Sequence, residues 1–283
     1  MKKLLVLILG LVSFSASAQM KATDIKGIQF YSGTFKFDGK LGSYKVKEHK
    51  FKPLDIEPKV TVTDGSLFVG SLEASVTKVT IKVNQGLRYF GGGEQFSHVE
   101  LTGEKVPFIV EENGIGRGDQ PATRTASLVG AGGHEWTTYC PIPLVLSTDN
   151  KAYLIENDCY SEIDLTVDGE ITFTAHDNEL KLRVFEADSP KELLQEITAH
   201  TGRMPELPDW TYGTILGIQG GAERIKQLVQ DSQVYGNPVS AIWIQDWVGK
   251  KQTSIGSRLR WEWKPDENTY PNFKQFCSEM NAH

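Results

Sequence analysis

The sequence contains few cysteines, no excess of positive charge and, after its first 20 residues, no long apolar run. Lys and Arg total 30 against 36 Asp and Glu, which gives a net charge of −6 and a pI near 5.6. That balance argues against a nucleic acid or an anionic membrane surface as the partner. The chain also has no HExxH pattern, no phosphate-binding P-loop and no paired cysteine motif of a zinc site. We therefore expect a small-molecule partner.

The three cysteines cannot all be paired within one chain. Cys140 and Cys159 lie in a β-rich part of the sequence and are candidates for a bridge across two strands in an oxidising compartment. Cys277 lies in a helix-like stretch and is the one left over. The sequence alone leaves the pairing of Cys140 and Cys159 open.

The N-terminal apolar run has the features of a cleaved export signal. Two lysines precede the apolar residues 4–14, and Ala16-Ser17-Ala18 matches the small-x-small pattern that signal peptidase recognises. The run is shorter than the ~20 residues that span a bilayer. We predict that residues 1–18 are a signal peptide and that the mature protein is periplasmic or extracellular, without a membrane anchor.

The β-rich part of the sequence covers residues 19–205. Short runs of alternating residues, of which Lys59–Thr63, Ser75–Val83 and Glu170–Thr174 are the clearest, are separated by Gly, Asp and Asn. This pattern is typical of an antiparallel β-sandwich. The sequence therefore predicts a β-sandwich N-terminal domain.

A helix and a linker are predicted at the end of this domain. Ser189 supplies a helix cap and Pro190 a first helical residue before the helical stretch 191–198. Two prolines then fall within residues 204–208, which indicates a linker.

The order of elements changes in the last segment, residues 206–283. Thr211–Gly217 and Val239–Ile244 have the composition of strands, whereas Ala222–Tyr235 and Asn272–Ala282 have helical spacing. This alternation predicts the first two βα units of a (β/α)8 barrel. A complete barrel takes about 250 residues, so we expect this one to be truncated.

The stretch WIQDWVGKKQTSIGSRLRWEW, residues 243–263, contains four of the six tryptophans. It combines them with an aspartate, several cations and little aliphatic surface. An indole ring offers both an apolar face and a hydrogen-bond donor. We interpret the stretch as the wall of a pocket, although each tryptophan taken alone is more often a core residue.

Several motifs occur in an order that resembles glycoside hydrolase family 31, and within that family the sulfoquinovosidases. The motifs are Phe90–Gln95 (FGGGEQ), Gly217–Gly221 (GIQGG), Trp243–Trp247 (WIQDW), Thr253–Arg258 (TSIGSR) and Trp261–Trp263 (WEW). The resemblance implies a β-sandwich followed by a (β/α)8 barrel, with the active site at the carboxyl ends of the barrel strands. It covers most of the chain, which we interpret as an N-terminal fragment of such an enzyme.

Sulfoquinovose is glucose with a sulfonate in place of the 6-hydroxyl, so its pocket needs donors and no nearby carboxylate. By resemblance, the substrate-binding donors are the guanidinium of Arg258, the indole of Trp261 and the carboxamide of Gln245. Family 31 enzymes for neutral sugars usually carry Asp at the position of Gln245. The amide keeps the shape of that side chain and removes a charge that would repel the sulfonate.

The same residue-by-residue matching adds three further substrate-binding candidates. Gln219 is expected to face the ring hydroxyls, and Glu94 to reach the sugar from the β-sandwich. Asp246 is the third candidate. The segment Glu111–Arg117 resembles a family loop that leans over the pocket, for which we favour a structural role.

The resemblance does not extend to the catalytic groups. Retaining glycosidases use two carboxyl groups about 5 to 5.5 Å apart, one as nucleophile and one as acid and base. In family 31 both are aspartates of later barrel strands, and the resemblance ends at residues 280–283 before either is reached. We therefore name no catalytic residue, metal or cofactor, and we expect this chain alone to be inactive. Its expected partner is a small, sulfonated carbohydrate, with the oligomeric state left open.

Other interpretations of the same residues remain open. The chain is also compatible with a neutral-sugar family 31 α-glycosidase or with a non-enzymatic sugar-binding β-sandwich protein. The glycines of residues 91–93 taken alone predict a hairpin turn. His98 and His134 lack metal-ligand spacing and are interpreted as surface residues of strands.

Overall fold

The computed structural model describes residues 24–33, 36–40, 43–47, 51–63, 65–117, 120–129, 131–254 and 256–282. The predicted signal peptide lies outside the described residues. The chain forms two compact units that divide between Arg203 and Met204.

The first unit consists mainly of strands. Its strands are β1 (Ile25–Ser32), β2 (Lys36–Lys40), β3 (Ser43–Lys47), β4 (Lys52–Leu54), β5 (Lys59–Thr63), β6 (Ser66–Gly70), β7 (Val76–Lys82), β8 (Tyr89–Gly93), β9 (Lys105–Phe108), β10 (Pro141–Ser147), β11 (Lys151–Ile155), β12 (Ser161–Asp164), β13 (Glu170–Ala175) and β14 (Glu179–Glu186). Its helices are α1 (Pro121–Ser127) and α2 (Pro190–Thr201).

Two antiparallel sheets of six strands form the body of this unit. Their strand orders are β4-β1-β7-β13-β12-β9 and β5-β6-β14-β11-β10-β8. Alternate side chains of both sheets enter one apolar cluster, which includes Val79 and Phe173 of the first sheet and Leu67 and Leu182 of the second. Burial of one face of each sheet stabilises this arrangement. The predicted antiparallel architecture is confirmed.

The predicted helix at the end of the β-sandwich is also present. The Ser189 hydroxyl accepts a hydrogen bond from the backbone N–H of Glu192 at 3.3 Å, and Pro190 is the first helical residue of α2. The helix buries Leu193 and Ile197 beside Phe185 of β14. It therefore ends the first unit as a packed element.

The interpretation of Gly91–Gly93 as a hairpin turn is wrong. These glycines form the second half of β8, with φ of 114°, 82° and 87°. A Cβ on Gly91 would lie 2.6 Å from the carbonyl oxygen of Leu144, and one on Gly93 would overlap the carbonyl oxygen of Cys140. The glycines are needed because β10 approaches too closely for a side chain.

His98 and His134 lie in loops, so their interpretation as surface residues of strands is wrong. The His98 ring stacks on Trp136 with 4.9 Å between the ring centroids. The Nε2 atom of His134 lies 2.6 Å from Oε2 of Glu111, which is 3% exposed. The Arg117 guanidinium also donates to the backbone oxygen of His134 at 3.2 Å. These contacts join the predicted loop Glu111–Arg117 to the following loop and give it a structural role.

All three cysteines belong to the described residues, and none is in a disulfide. Burial raises the pKa of the Cys159 thiol to about 11. Cys140 is exposed, and the bridge between these two cysteines that the sequence left open is not formed.

The second unit contains a parallel pair of strands. Its elements are β15 (Thr214–Ile218), α3 (Ala222–Val234), β16 (Val239–Ile244), β17 (Lys250–Thr253), β18 (Gly256–Leu259) and α4 (Phe273–Met280), preceded by a 3-10 turn at Asp209–Tyr212. Leu216 lies opposite Ile242 and Ile218 opposite Ile244 in the parallel ladder of β15 and β16. Because α3 connects the two strands, this part is a βαβ unit.

A small apolar core holds the βαβ unit together. Ile218, Ile225 and Val229 are buried in a cluster with Tyr270 and Phe276. The predicted strand at residues 239–244 is β16. The β17–β18 hairpin was not predicted from the sequence.

The described helices include none with both the length and the apolar character that crossing a membrane requires.

Candidate functional site

The candidate substrate-binding residues differ in exposure. The exposed ones are Glu94, Gln219, Gln245, Arg258 and Trp261. Asp246, the sixth candidate, is 2% exposed. Its role as a substrate-binding residue stays a prediction.

Gln219 and Gln245 are brought together by the parallel pair. Each follows the last residue of its strand, and parallel strands present their carboxyl ends at one edge of the sheet. The Gln219 carboxamide donates from Nε2 to Oε1 of Gln245. Because Gln245 accepts in this bond, its own amide N–H groups are left without a hydrogen-bond partner among the described residues.

The Asp246 carboxylate is held by three groups. Oδ1 accepts a hydrogen bond from the Tyr270 phenol. Oδ2 accepts one from the backbone N–H of Gly220 at 3.0 Å and lies 3.4 Å from Nζ of Lys250. Pairing and hydrogen bonding of this kind stabilise a carboxylate in a buried position.

Tyr270 is fully buried and makes two hydrogen bonds through its phenol. Besides donating to Asp246, the phenol accepts from the backbone N–H of Gly221 at 3.1 Å. Burial, helped by the hydrogen bond with the Asp246 carboxylate, raises the pKa of Tyr270 to about 12. The phenol is therefore protonated near neutral pH and acts as the donor toward Asp246.

Arg258 and Trp261 lie on a separate element of the second unit. Arg258 is opposite Lys251 in the β17–β18 hairpin, and its guanidinium has no hydrogen-bond or ion-pair partner among the described residues. Trp261 follows the hairpin and is 73% exposed. No hydrogen bond or ring contact joins either residue to the glutamine pair in the part of the unit that the structure describes.

The tryptophans of the 243–263 stretch are mostly outside the core. Trp243, Trp261 and Trp263 are 68%, 73% and 75% exposed. Trp247 is half-buried and stacks on Phe273 with 5.6 Å between ring centroids. Core packing therefore accounts for Trp247 but not for the other three.

Glu94 belongs to the first unit. Its backbone N–H donates to the carbonyl oxygen of Cys140 at 2.9 Å, immediately after β8. Its side chain is exposed. The backbone bond fixes where the Glu94 side chain leaves the sheet.

The sequence did not predict Tyr270 as a residue of the site. It lies 24 residues after Asp246 and 49 after Gly221, in a segment without a recognisable motif. No sequence signal links these positions, since the contact depends on how the segment before α4 packs on the βαβ unit.

No cluster of three or more metal-ligating side chains occurs in the described ranges. A cavity of ≈ 510 Å³ borders β16, α3 and α4. Its lining includes Val239, Ile242 and Phe276 but none of the candidate site residues.

Comparison with known proteins identifies relatives of both units. No family model matches the chain. A sulfoquinovosidase of Escherichia coli strain K12 is 35% identical over 195 residues, which cover 68% of this chain and 29% of that protein. A sulfoquinovosidase of Agrobacterium fabrum strain C58 is 31% identical over 232 residues, covering 78% of this chain and 34% of that protein.

A solved structure extends the likeness to three dimensions. It is a GH31 family sulfoquinovosidase from E. rectale in complex with the aza-sugar inhibitor IFGSQ, and it covers 90% of this chain with a TM-score of 0.80 and 28% identity. The chain belongs to glycoside hydrolase family 31. This family 31 chain spans 42% of the solved structure and about a third of the curated relatives.

Proposed function

We propose that this family 31 chain supplies part of the sugar site of an α-glycosidase that hydrolyses α-sulfoquinovosides, such as sulfoquinovosyl glycerol or glycolipid, to sulfoquinovose. The main support is that Gln245 follows β16 and that the N–H groups of its carboxamide have no hydrogen-bond partner among the described residues. An amide at this position suits an anionic sugar better than the aspartate that the resemblance associates with neutral sugars. The relatives named sulfoquinovosidases support the same substrate.

The charges of the second unit also favour an anion. A sulfonate accepts hydrogen bonds and donates none, so it is attracted by unpaired donors. The Arg258 guanidinium has no carboxylate partner in the described part of the chain, and the Trp261 indole is exposed. The charge of Asp246 is offset by Lys250 and by two hydrogen bonds. We propose that Gln245, Arg258 and Trp261 bind the sulfonate and that Gln219 faces the sugar ring. The role of Glu94, which lies in the first unit, stays a prediction.

We further propose that β15, α3 and β16 begin a (β/α)8 barrel that follows the β-sandwich domain of residues 19–205. In such a barrel the sugar binds at the carboxyl ends of the strands, which is where Gln219 and Gln245 lie. The two catalytic carboxyl groups would come from later strands outside this chain. One would attack the anomeric carbon, and the other would protonate the leaving oxygen and then activate water.

The same proposal includes export, because residues 1–18 have the pattern of a cleaved signal peptide. An exported enzyme meets sulfoquinovosides outside the cytoplasm. N-terminal sequencing of the secreted protein tests this point, and a mature N-terminus at Gln19 is expected.

The proposal is tested by a hydrolysis assay and a binding assay. The 283-residue chain should release no more chromophore than buffer from an α-sulfoquinovoside, because the proposal assigns the nucleophile and the acid to later strands. Titration calorimetry should detect sulfoquinovose more readily than glucose. Clear turnover by this chain would mean that the two catalytic carboxyl groups lie within it. Tighter binding of glucose than of sulfoquinovose would favour a neutral-sugar enzyme.

A further inference from the structure

The loops after β15 and β16 are joined by two hydrogen bonds that close a ring. Gln219 bonds to Gln245 through the side chains, and the next residues, Gly220 and Asp246, bond through a backbone N–H and a carboxylate at 3.0 Å. The outer bond is exposed and the inner bond is partly buried. Movement of the Gly220 turn would therefore move Gln219 relative to Gln245.

The turn itself depends on a second anchor. Gly220 and Gly221 have φ of 113° and 98°, and Gly221 caps α3 without a side-chain hydrogen bond. Two glycines in the left-handed region leave the turn with little intrinsic preference for one conformation. The Tyr270 phenol accepts from the Gly221 N–H and donates to Asp246, so it connects both consecutive amides of the turn to one buried carboxylate.

Packing alone does not require the phenol oxygen. The Tyr270 ring contacts Phe273 and Phe276 with centroid separations of 6.0 and 6.2 Å, and a phenylalanine would fill the same volume. A buried charge with its partners is commonly no more stable than an apolar replacement of the same size. A fully satisfied polar network does, however, hold side chains in one arrangement.

We propose that Tyr270 is a positioning residue for sugar recognition, which acts through Asp246 and the glycine turn to hold the Gln219 carboxamide against Gln245. The held Gln219 fixes the side chain of Gln245 so that its N–H groups face the ligand. This inference rests on the proposed function for the identity of the ligand. The role of Tyr270 itself rests on the hydrogen bonds.

A double-mutant cycle on this chain tests the inference. Tyr270→Phe should weaken sulfoquinovose binding by about tenfold, the factor that corresponds to the loss of roughly one hydrogen bond. In a Gln219→Ala background the same substitution should have no further effect, because the group through which Tyr270 acts is absent. Equal effects of Tyr270→Phe in both backgrounds would overturn the inference.

The control variant is Phe276→Leu, which disturbs the same apolar cluster without removing a hydrogen-bonding side chain. It should change the affinity by less than about twofold even where it lowers the unfolding temperature as much as Tyr270→Phe does. A loss of affinity equal to that of Tyr270→Phe would show that Tyr270 affects binding only through packing in the apolar cluster.

A readout without ligand separates this inference from the proposed function. The side-chain amide signals of Gln219 in NMR spectra should shift or broaden in Tyr270→Phe and stay unchanged in Phe276→Leu. Unchanged Gln219 signals in Tyr270→Phe would overturn the positioning role, whichever sugar binds. If the wild-type chain binds glucose and not sulfoquinovose, the proposed substrate is wrong. The same double-mutant cycle, measured with glucose, then decides the role of Tyr270. If wild type binds neither sugar, the NMR result decides it.

Discussion

The phenol of Tyr270 donates a hydrogen bond to the buried carboxylate of Asp246, and the same phenol accepts one from the backbone of Gly221. This relationship links the segment before α4 to the ends of both parallel strands. It explains how a charged side chain that is 2% exposed is stabilised next to a proposed sugar site.

Replacement of Asp246 by alanine should destabilise the second unit. The change leaves the buried Tyr270 hydroxyl without an acceptor, which costs about 1–3 kcal/mol. It also removes the acceptor of the partly buried Gly220 N–H. Urea unfolding, followed by tryptophan fluorescence, measures the loss.

The matched control is Lys250→Met, which removes only the partly exposed ion pair to Asp246. Its cost should stay below about 1 kcal/mol. If Lys250→Met were as destabilising as Asp246→Ala, the ion pair rather than the buried hydrogen bonds would hold Asp246.

Stability should fall at alkaline pH through Tyr270. Its pKa is raised from the ordinary value of 10.0 to about 12 in the folded protein, so the unfolded chain loses this proton first. Between these two values the folded state binds more protons than the unfolded state, and the free energy of unfolding decreases as pH rises. The contribution of Tyr270 to the free energy of unfolding is complete below pH 10 and lost above about pH 12.

Tyr89 titrates in the same alkaline range, since burial raises its pKa to about 12 as well. The comparison of wild type with Tyr270→Phe isolates the part due to Tyr270. We expect a shallower decline for Tyr270→Phe in urea unfolding series between these pH values. Identical slopes would show that the phenol is not protected in the folded state.

Gly93→Ala should be strongly destabilising. An alanine Cβ would overlap the carbonyl oxygen of Cys140, in addition to the strain of a φ of 87°. Gly86→Ala is the matched control, because its φ is 73° and nothing lies within 4 Å of the added Cβ. The control should cost about 1–2 kcal/mol from backbone strain.

Thermal unfolding of both glycine variants checks this prediction. Gly93→Ala should lower the unfolding temperature well beyond Gly86→Ala, or prevent folding. Equal losses would mean that β8 and β10 can separate to admit a side chain at little cost.

The regular elements of this chain could be predicted where burial imposes a period on the sequence. β7 and β13 alternate between the two faces of a sheet, and their predicted runs match the observed strands within one residue at each end. β16 matches because it is an apolar run between two turn signals. The helix cap at Ser189 could also be predicted, because the capping signal lies within a few residues of the sequence.

The missed features depend on contacts between distant segments. β17, with the sequence KKQT, is largely exposed and carries no apolar period, so nothing in its sequence marks it as a strand. Gly91–Gly93 have turn composition, but the close approach of β10 decides their conformation. The pairing of Gln219 with Gln245 could be expected from their places after two parallel strands. The burial of Asp246 and its bond to Tyr270 could not.

Paired titrations of sulfoquinovose and glucose test whether Gln245 and Arg258 select an anionic sugar. Gln245→Glu should weaken sulfoquinovose binding by about tenfold or more and leave glucose binding unchanged or improved, since a carboxylate repels the sulfonate. Arg258→Ala should also lower the affinity for sulfoquinovose alone. Equal changes for both sugars in these two variants would contradict the claim.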